Sequence, residues 1–153
     1  MKSWDVTLVQ NGETALYGLW ASSCGRTAAK DIPRLSKQYY GKVQKEPGSV
    51  LPFFVLSRNY DEQSRKFELF IGSTAVDKEL DVFILPAGTY GRITVRPKFG
   101  MFWGAAIGAA KTFFYTRWLS ENGYRAVNLE YEYHTEKSLG KSPTIDILFA
   151  VQE

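Results

Sequence analysis

The chain has 153 residues, 44% of them hydrophobic and 23% charged, with a formal net charge of +3; these proportions suit one compact domain and exclude a disordered chain. A single cysteine, Cys24, excludes an intrachain disulfide and any multi-cysteine metal site, and no run approaches the ~18 apolar residues of a membrane helix. Basic residues alternate with acids even in RNYDEQSRKFELF, so nucleic acid is a poor candidate partner, whereas the aromatic fraction of 15% suits surfaces that pack at one end and meet a ligand or water at the other.

The opening MKSWDVTLVQNGE lacks the apolar segment of a signal peptide, and a cytoplasmic protein is expected. From Asp5, DVTLVQNGETALYGLW reads as an apolar, β-rich run that supplies the first strands. In TAAKDIPRLSKQYYGKV, Pro33 would break an interior turn, so the predicted helix spans residues 31–42 with Asp31 as N-cap and Pro33 in the first turn. Ile32, Leu35 and Tyr39 then point inward. QKEPGS turns the chain into VLPFFVLS, and NYDEQSRK joins that strand to KFELFIG as a hairpin.

At Asp81 the pattern starts again with DVFILPAGTYGRITV. Placed 76 residues after Asp5, Val82 matches Val6, Ile84 matches Leu8, Leu85 matches Val9 and Gly88 matches Gly12. KFELFIG and TIDILFA align at an offset of 78, pairing Glu68 with Asp146 and Leu69 with Ile147. GMFWGAAIGAAKTFFYTRWLSENGYR puts Trp103, Ile107, Ala110, Phe114 and Trp118 at helical spacing and stops at Asn122-Gly123; Gly104, Ala105, Gly108 and Ala109 keep one side of that helix thin. The predicted order is β-β-α-β-β twice over: a single α+β domain over residues 1–153, with halves of about 4–75 and 80–152.

The strand NLEYEYHTEK poses the main question about function. Period two puts Asn128, Glu130, Glu132 and His134 on one face and Leu129, Tyr131 and Tyr133 on the other. On that pattern alone the first face is solvated and the second packs inward. Cys24 and His134 are the residue types of a nucleophile and its base, but nothing in the sequence brings them together, and an inert thiol with a surface histidine is the expectation.

ILPAGTYGRITV, a helix ending TRWLSENGYRA, a YEY strand and a terminal IDILFAVQ together resemble the GyrI-like, AraC-type effector-binding family over nearly the whole chain. The resemblance implies a duplicated α+β module with a cleft between its halves that binds lipophilic, frequently cationic small molecules. It implies a pocket carboxylate too. Glu132, which follows Tyr131, fits the family's spacing better than Glu130, but His134 stands where the family has tyrosine, and both carboxylates stay open. With Trp118, Tyr90, Trp103, Tyr17 and Trp20 they form the expected ligand-binding set, Tyr17 and Trp20 because ALYGLW is the first-half counterpart of TYGRIT.

A stand-alone binding domain for lipophilic, cationic or aromatic small molecules follows, serving drug or toxin sensing or sequestration, with no cofactor, no metal and no direct contact with nucleic acid or membrane. Some family members resemble hydrolases of strained-ring DNA-alkylating compounds, which would make Glu132 a general acid or base and Trp118 a stacking surface. A co-regulator acting through a homodimer or a protein partner is the third alternative, since the sequence shows no DNA-binding helix-turn-helix.

Overall fold

A computed structural model describes residues 3–96 and 103–153. Eight strands form one antiparallel sheet: β1 (Thr7–Asn11), β2 (Thr14–Cys24), β3 (Phe53–Arg58), β4 (Lys66–Ser73), β5 (Asp81–Leu85), β6 (Gly88–Val95), β7 (Arg125–His134) and β8 (Ile145–Gln152). Helix α1 (Ala28–Val43) lies between β2 and β3 in the chain, and α2 (Trp103–Phe113) between β6 and β7. Residues 97–102, where the predicted second helix begins, lie outside the described residues. The fold is α+β with duplicated β-β-α-β-β halves, as expected.

Across the sheet the order is β1-β6-β8-β7-β3-β4-β2-β5, and exchanging each strand for its counterpart in the other half gives the same order read from the opposite edge. The first strand of each half pairs with the second strand of the other. Val9 stands opposite Tyr90, and the same register recurs 76 residues away where Leu85 stands opposite Thr14. The two halves meet at β3 and β7, which run side by side at the centre.

Both helices lie on one face, α1 over β2 and β4, α2 over β6. Leu35, Tyr39 and Tyr40 of α1 bury against Phe53, Val55, Leu69 and Ile71. Under α2, Ala110, Phe113, Phe114 and Trp118 bury against Ile93, Ile147, Phe149 and Val151. Gly91 makes room there, because a Cβ at that position would lie 2.8 Å from the Phe114 ring. The opposite face curls on itself around Leu16, Phe54, Leu56, Phe70, Tyr90 and Tyr131. Each such side chain removed from water stabilises the fold by about 1.5–3 kcal/mol.

Two helix details differ from the sequence reading. α1 starts at Ala28, three residues before the predicted start, and Thr27 takes the N-cap position in place of Asp31. Asp31 instead accepts hydrogen bonds from Thr27 (2.6 Å) and Ser23 (2.8 Å), which hold its carboxyl below the usual range and pin the first turn to β2. Pro33 thus sits in the second turn, where it removes one backbone donor without ending the helix. Ile32, Leu35 and Tyr39 do face the sheet.

α2 continues through a π-helical stretch, Phe114–Trp118, and a last α turn, Leu119–Asn122, before Gly123 stops it at a φ of 71°. Phe113 and Phe114, at the junction, both bury, at 4% and 0% exposure, as the consecutive Tyr39 and Tyr40 of α1 do. No described helix is long and apolar enough to cross a membrane.

Candidate functional site

Because α1 and α2 cover the flanks, the helix-facing side chains of β7 lie in the gap between them. The rungs are Ser57–Glu130–Phe149 and Val55–Glu132–Ile147, with His134 opposite Phe53. Glu132 therefore has apolar neighbours on both sides and Glu130 has a serine and a phenylalanine, and the carboxylate side chains are 14% and 16% exposed, respectively. The solvated face expected from periodicity alone is the floor of an interhelical cleft, and the other side of β7, with Leu129 and Tyr131, packs into the curled core. Asn128 leaves the alternation. A bulge between Ala126 and Glu130 puts it at a φ of 54°, where its amide exchanges hydrogen bonds with the Tyr60 backbone.

The two carboxylates differ in their partners. Glu130 is met by the Lys111 ammonium at 2.6 Å and accepts the Tyr115 hydroxyl at 2.8 Å, both from the flank of α2. Burial by itself would lower the Lys111 pKa, but the Glu130 and Glu132 carboxylates raise it, and the hydrogen bond to Glu130 adds to them. Burial, then the charge of Glu130, push the Tyr115 phenol well above its ordinary value and keep it a donor. Glu132 has a different partner, the ring of His134, with Nε2 and Oε1 3.1 Å apart. Two carboxylates and one ammonium thus meet at the cleft floor, with the imidazole beside them.

Gly104 and Gly108 precede Lys111 and Tyr115 on the same stripe of α2, and a Cβ at either would meet nothing within 4 Å. The thin side predicted for this helix therefore borders open space. Beyond His134 the cleft widens into a cavity of about 210 Å3 lined by Tyr40, Phe53, Trp103, His134 and Leu139. Tyr40 and Phe53 stack there with ring centroids 5.3 Å apart. The cavity is aromatic on both sides and leads to the Glu132–His134 pair.

Of the residues singled out in the sequence, Glu130, Glu132 and Trp103 come together here. Trp118 does not. Its ring is 9% exposed and stacked between Phe114 (5.1 Å) and Tyr124 (5.5 Å), so it belongs to the core under α2. Tyr90 faces the opposite side of the sheet, 1% exposed, its hydroxyl donating to the Pro86 carbonyl at 2.6 Å. Trp20 shares that side and already holds a cation, because the Arg58 guanidinium lies 4.3 Å from its ring centroid. Tyr17 is on the helix side, but β4 and β3 separate its strand from β7, roughly 14 Å at the usual strand spacing.

The counterpart positions in ALYGLW and TYGRIT thus belong to strands away from the centre, and strand alternation splits Tyr17 from Trp20. Lys111, Tyr115 and Tyr40 escaped the sequence reading. The signal for the first two was a Lys and a Tyr, four residues apart, continuing the Gly104–Gly108 side of an otherwise apolar helix. Cys24 ends β2 opposite Lys66 and His134 ends β7 opposite Phe53; the two strands run in opposite directions, so these residues lie at opposite ends of the sheet and form no nucleophile–base pair. Among the described residues no group of three or more His, Cys, Asp or Glu is placed to hold a metal ion.

No protein-family profile and no curated protein sequence matches this chain. Solved structures do. SAV2435 bound to tetraphenylphosphonium superposes with a TM-score of 0.68 at 16% identity, over 97% of this chain and 94% of that one. The C-terminal domain of EcmrR gives 0.60 at 15% identity, over 98% of each chain. A hydrolase encoded by lin2189 from Listeria innocua gives 0.51 at 8% identity, over 96% of this chain and 91% of that one. This chain accordingly shares its fold with these structures.

Proposed function

We propose that this protein is a GyrI-like effector-binding domain that takes a lipophilic cation into the cleft between α1 and α2, with Glu132 as the carboxylate that meets its positive centre. The observation that carries this reading is the unequal pairing of the two glutamates. Glu130 takes the Lys111 ammonium in a direct contact at 2.6 Å, while Glu132 feels that cation only through space and has the His134 ring as its described hydrogen-bond partner, so two carboxylates share one ammonium. A half-buried carboxylate flanked by Val55 and Ile147 loses hydration that a cation restores in part. Its likeness to SAV2435, bound to a lipophilic phosphonium, agrees with that chemistry.

The cavity of about 210 Å3 is smaller than the ~300–1,000 Å3 of pockets that enclose a whole drug-sized ligand, so it holds one aromatic arm while the remainder lies along the open cleft. Tyr40, Phe53 and Trp103 supply the rings against which that arm packs. Cation–π contacts add about 0.5–2 kcal/mol each, which suits micromolar affinity and broad specificity. The test is thermal unfolding with tetraphenylphosphonium and with triphenylphosphine oxide, a neutral analogue. Saturating cation is expected to add about 2.7 kcal/mol at 100 times its Kd, a rise of a few degrees, and the neutral compound to add little. Equal shifts from both compounds, or none from either, would contradict a role for the charge.

A second reading rests on the Glu132–His134 contact. A carboxylate that orients an imidazole at the inner end of an aromatic cavity is also the arrangement of a general base directing water onto an electrophile. In this version His134 takes the proton-transfer role that the sequence reading gave to Glu132, and Trp118, expected there as the stacking surface, is packed away from the cleft. Turnover of an aziridine or epoxide on a planar aromatic body, lost in His134→Gln, would support it; no turnover above the buffer rate would remove it.

A further inference from the structure

The face of the sheet turned away from the helices changes character along its length. Around Tyr131 and Leu148 it is an apolar core. Further along the same strands it opens into a cavity of about 520 Å3 whose lining is polar but for Leu139 and the ring of Tyr133. Period two on β6 aims Arg92 and Thr94 into it, and Arg96, just past the strand, joins them in the lining. The connection from β7 to β8 forms its wall and contributes Lys137.

That wall is fixed. The Thr135 hydroxyl accepts from the Lys137 backbone N–H at 3.2 Å, and the Thr144 N–H donates to the Lys137 carbonyl at 2.7 Å, so the base of the connection is closed where Lys137 leaves it. The one carboxylate in the lining, Asp146, is held by the Thr94 hydroxyl at 2.7 Å. No ion pair joins Arg92, Arg96 or Lys137 to a carboxylate among the described residues. Three cations against one anion leave a formal charge of +2 in a concave site, on the side of the sheet opposite the acidic cleft.

We propose that this cavity is a second ligand site, for a small phosphomonoester. Two guanidinium groups and an ammonium match a dianionic phosphate in charge, and guanidinium forks match its oxygens in geometry. Asp146 cannot accept such a group and instead takes hydroxyls of the organic body, which packs on the Tyr133 ring. The volume fits that assignment, since a phosphate alone would leave most of it to solvent, while a phosphorylated sugar falls within the usual size of ligand pockets. The site is independent of the cation cleft and stands or falls without it.

The test is amide NMR of the intact chain titrated with inorganic phosphate, glucose 6-phosphate and glucose, each against sodium chloride at equal ionic strength. Saturable shifts confined to β6, β8 and the 135–144 connection are expected with both phosphates, at least tenfold tighter for the sugar phosphate, and none with glucose. Arg92→Gln and Arg96→Gln should each weaken both phosphates about tenfold; the exposed Arg96 serves where the Arg92 variant fails to fold, as read from its thermal midpoint. Shifts that chloride reproduces, that never saturate, or that survive both substitutions would overturn the site. Glucose 6-phosphate binding no tighter than phosphate would overturn its assignment to an organic ester.

Discussion

Strands β3 and β7 are counterparts in the two halves and neighbours at the centre of the sheet, yet their helix-facing sides carry opposite chemistry. β3 presents Phe53, Val55 and Ser57, two of them part of the core beneath α1. β7 presents Glu130, Glu132 and His134 to the gap between the helices. The same backbone frame thus carries an apolar lining in one copy and the charge in the other. The helices diverge in parallel: α1 buries Tyr39 and Tyr40, whereas the exposed flank of α2 is thinned by glycine and sends down Lys111 and Tyr115. A duplicated frame sets where a cleft opens; a few side chains in one half set what it attracts.

Placing a carboxylate on the apolar strand breaks this comparison most severely. Val55→Asp would bury an unpartnered charge, at a site now 7% exposed, directly opposite Glu132. A loss of about 3–5 kcal/mol in urea unfolding at neutral pH is expected, reduced in the double variant with Glu132→Gln. Next is Lys111→Met, which leaves Glu130 without its cation. About 1–3 kcal/mol should be lost, less than for a fully buried pair because Lys111 is 31% exposed, and Glu130→Gln in the same chain should restore most of it. Additive losses in the double variant would show that the pair is not coupled.

The phenols of the two halves separate by pH. Burial pushes Tyr39, under α1, up to about 12, while burial and the Glu130 carboxylate raise Tyr115 well above its ordinary value. In the unfolded chain both ionise near ~10, so the stability tied to them is complete below that pH and is lost as pH rises through the folded values. Ultraviolet titration should show both phenols withheld from the main tyrosine transition until the protein unfolds in alkali. Glu130→Gln should bring the Tyr115 transition down and leave that of Tyr39 in place. The smallest effect concerns Trp118, whose ring packs between Phe114 and Tyr124. Trp118→Phe should leave tetraphenylphosphonium affinity within about twofold, ~0.4 kcal/mol, whereas Trp103→Ala should weaken it more.

Much of the fold was legible because its signals are periodic and occur twice. The 76-residue match between Val9 and Leu85 reappears as equal strand register, and the Trp103–Trp118 spacing reappears as the buried side of α2. Asp31 misled the start of α1, since a carboxylate that braces the first turn from inside reads the same as one that caps it. The site was legible in its carboxylates and Trp103, and illegible in its partners. Lys111 is adjacent to Glu130 only because α2, packed over β6, turns that flank toward β7, and Trp20 is closed to a ligand only because Arg58 lies on it. Both are tertiary facts that local spacing does not carry. Strand alternation could have separated Tyr17 from Trp20, and the φ of 54° at Asn128 shows where that alternation itself fails.

The central claim is that the chain gives one glutamate a direct cation contact and leaves the other for a ligand. Calorimetric titration of tetraphenylphosphonium into wild type, Glu130→Gln and Glu132→Gln tests it most directly. The account predicts that Glu132→Gln loses at least tenfold in affinity, about 1.4 kcal/mol, while Glu130→Gln stays within about threefold of wild type. Equal affinities in all three proteins, or a loss confined to Glu130→Gln, would contradict it.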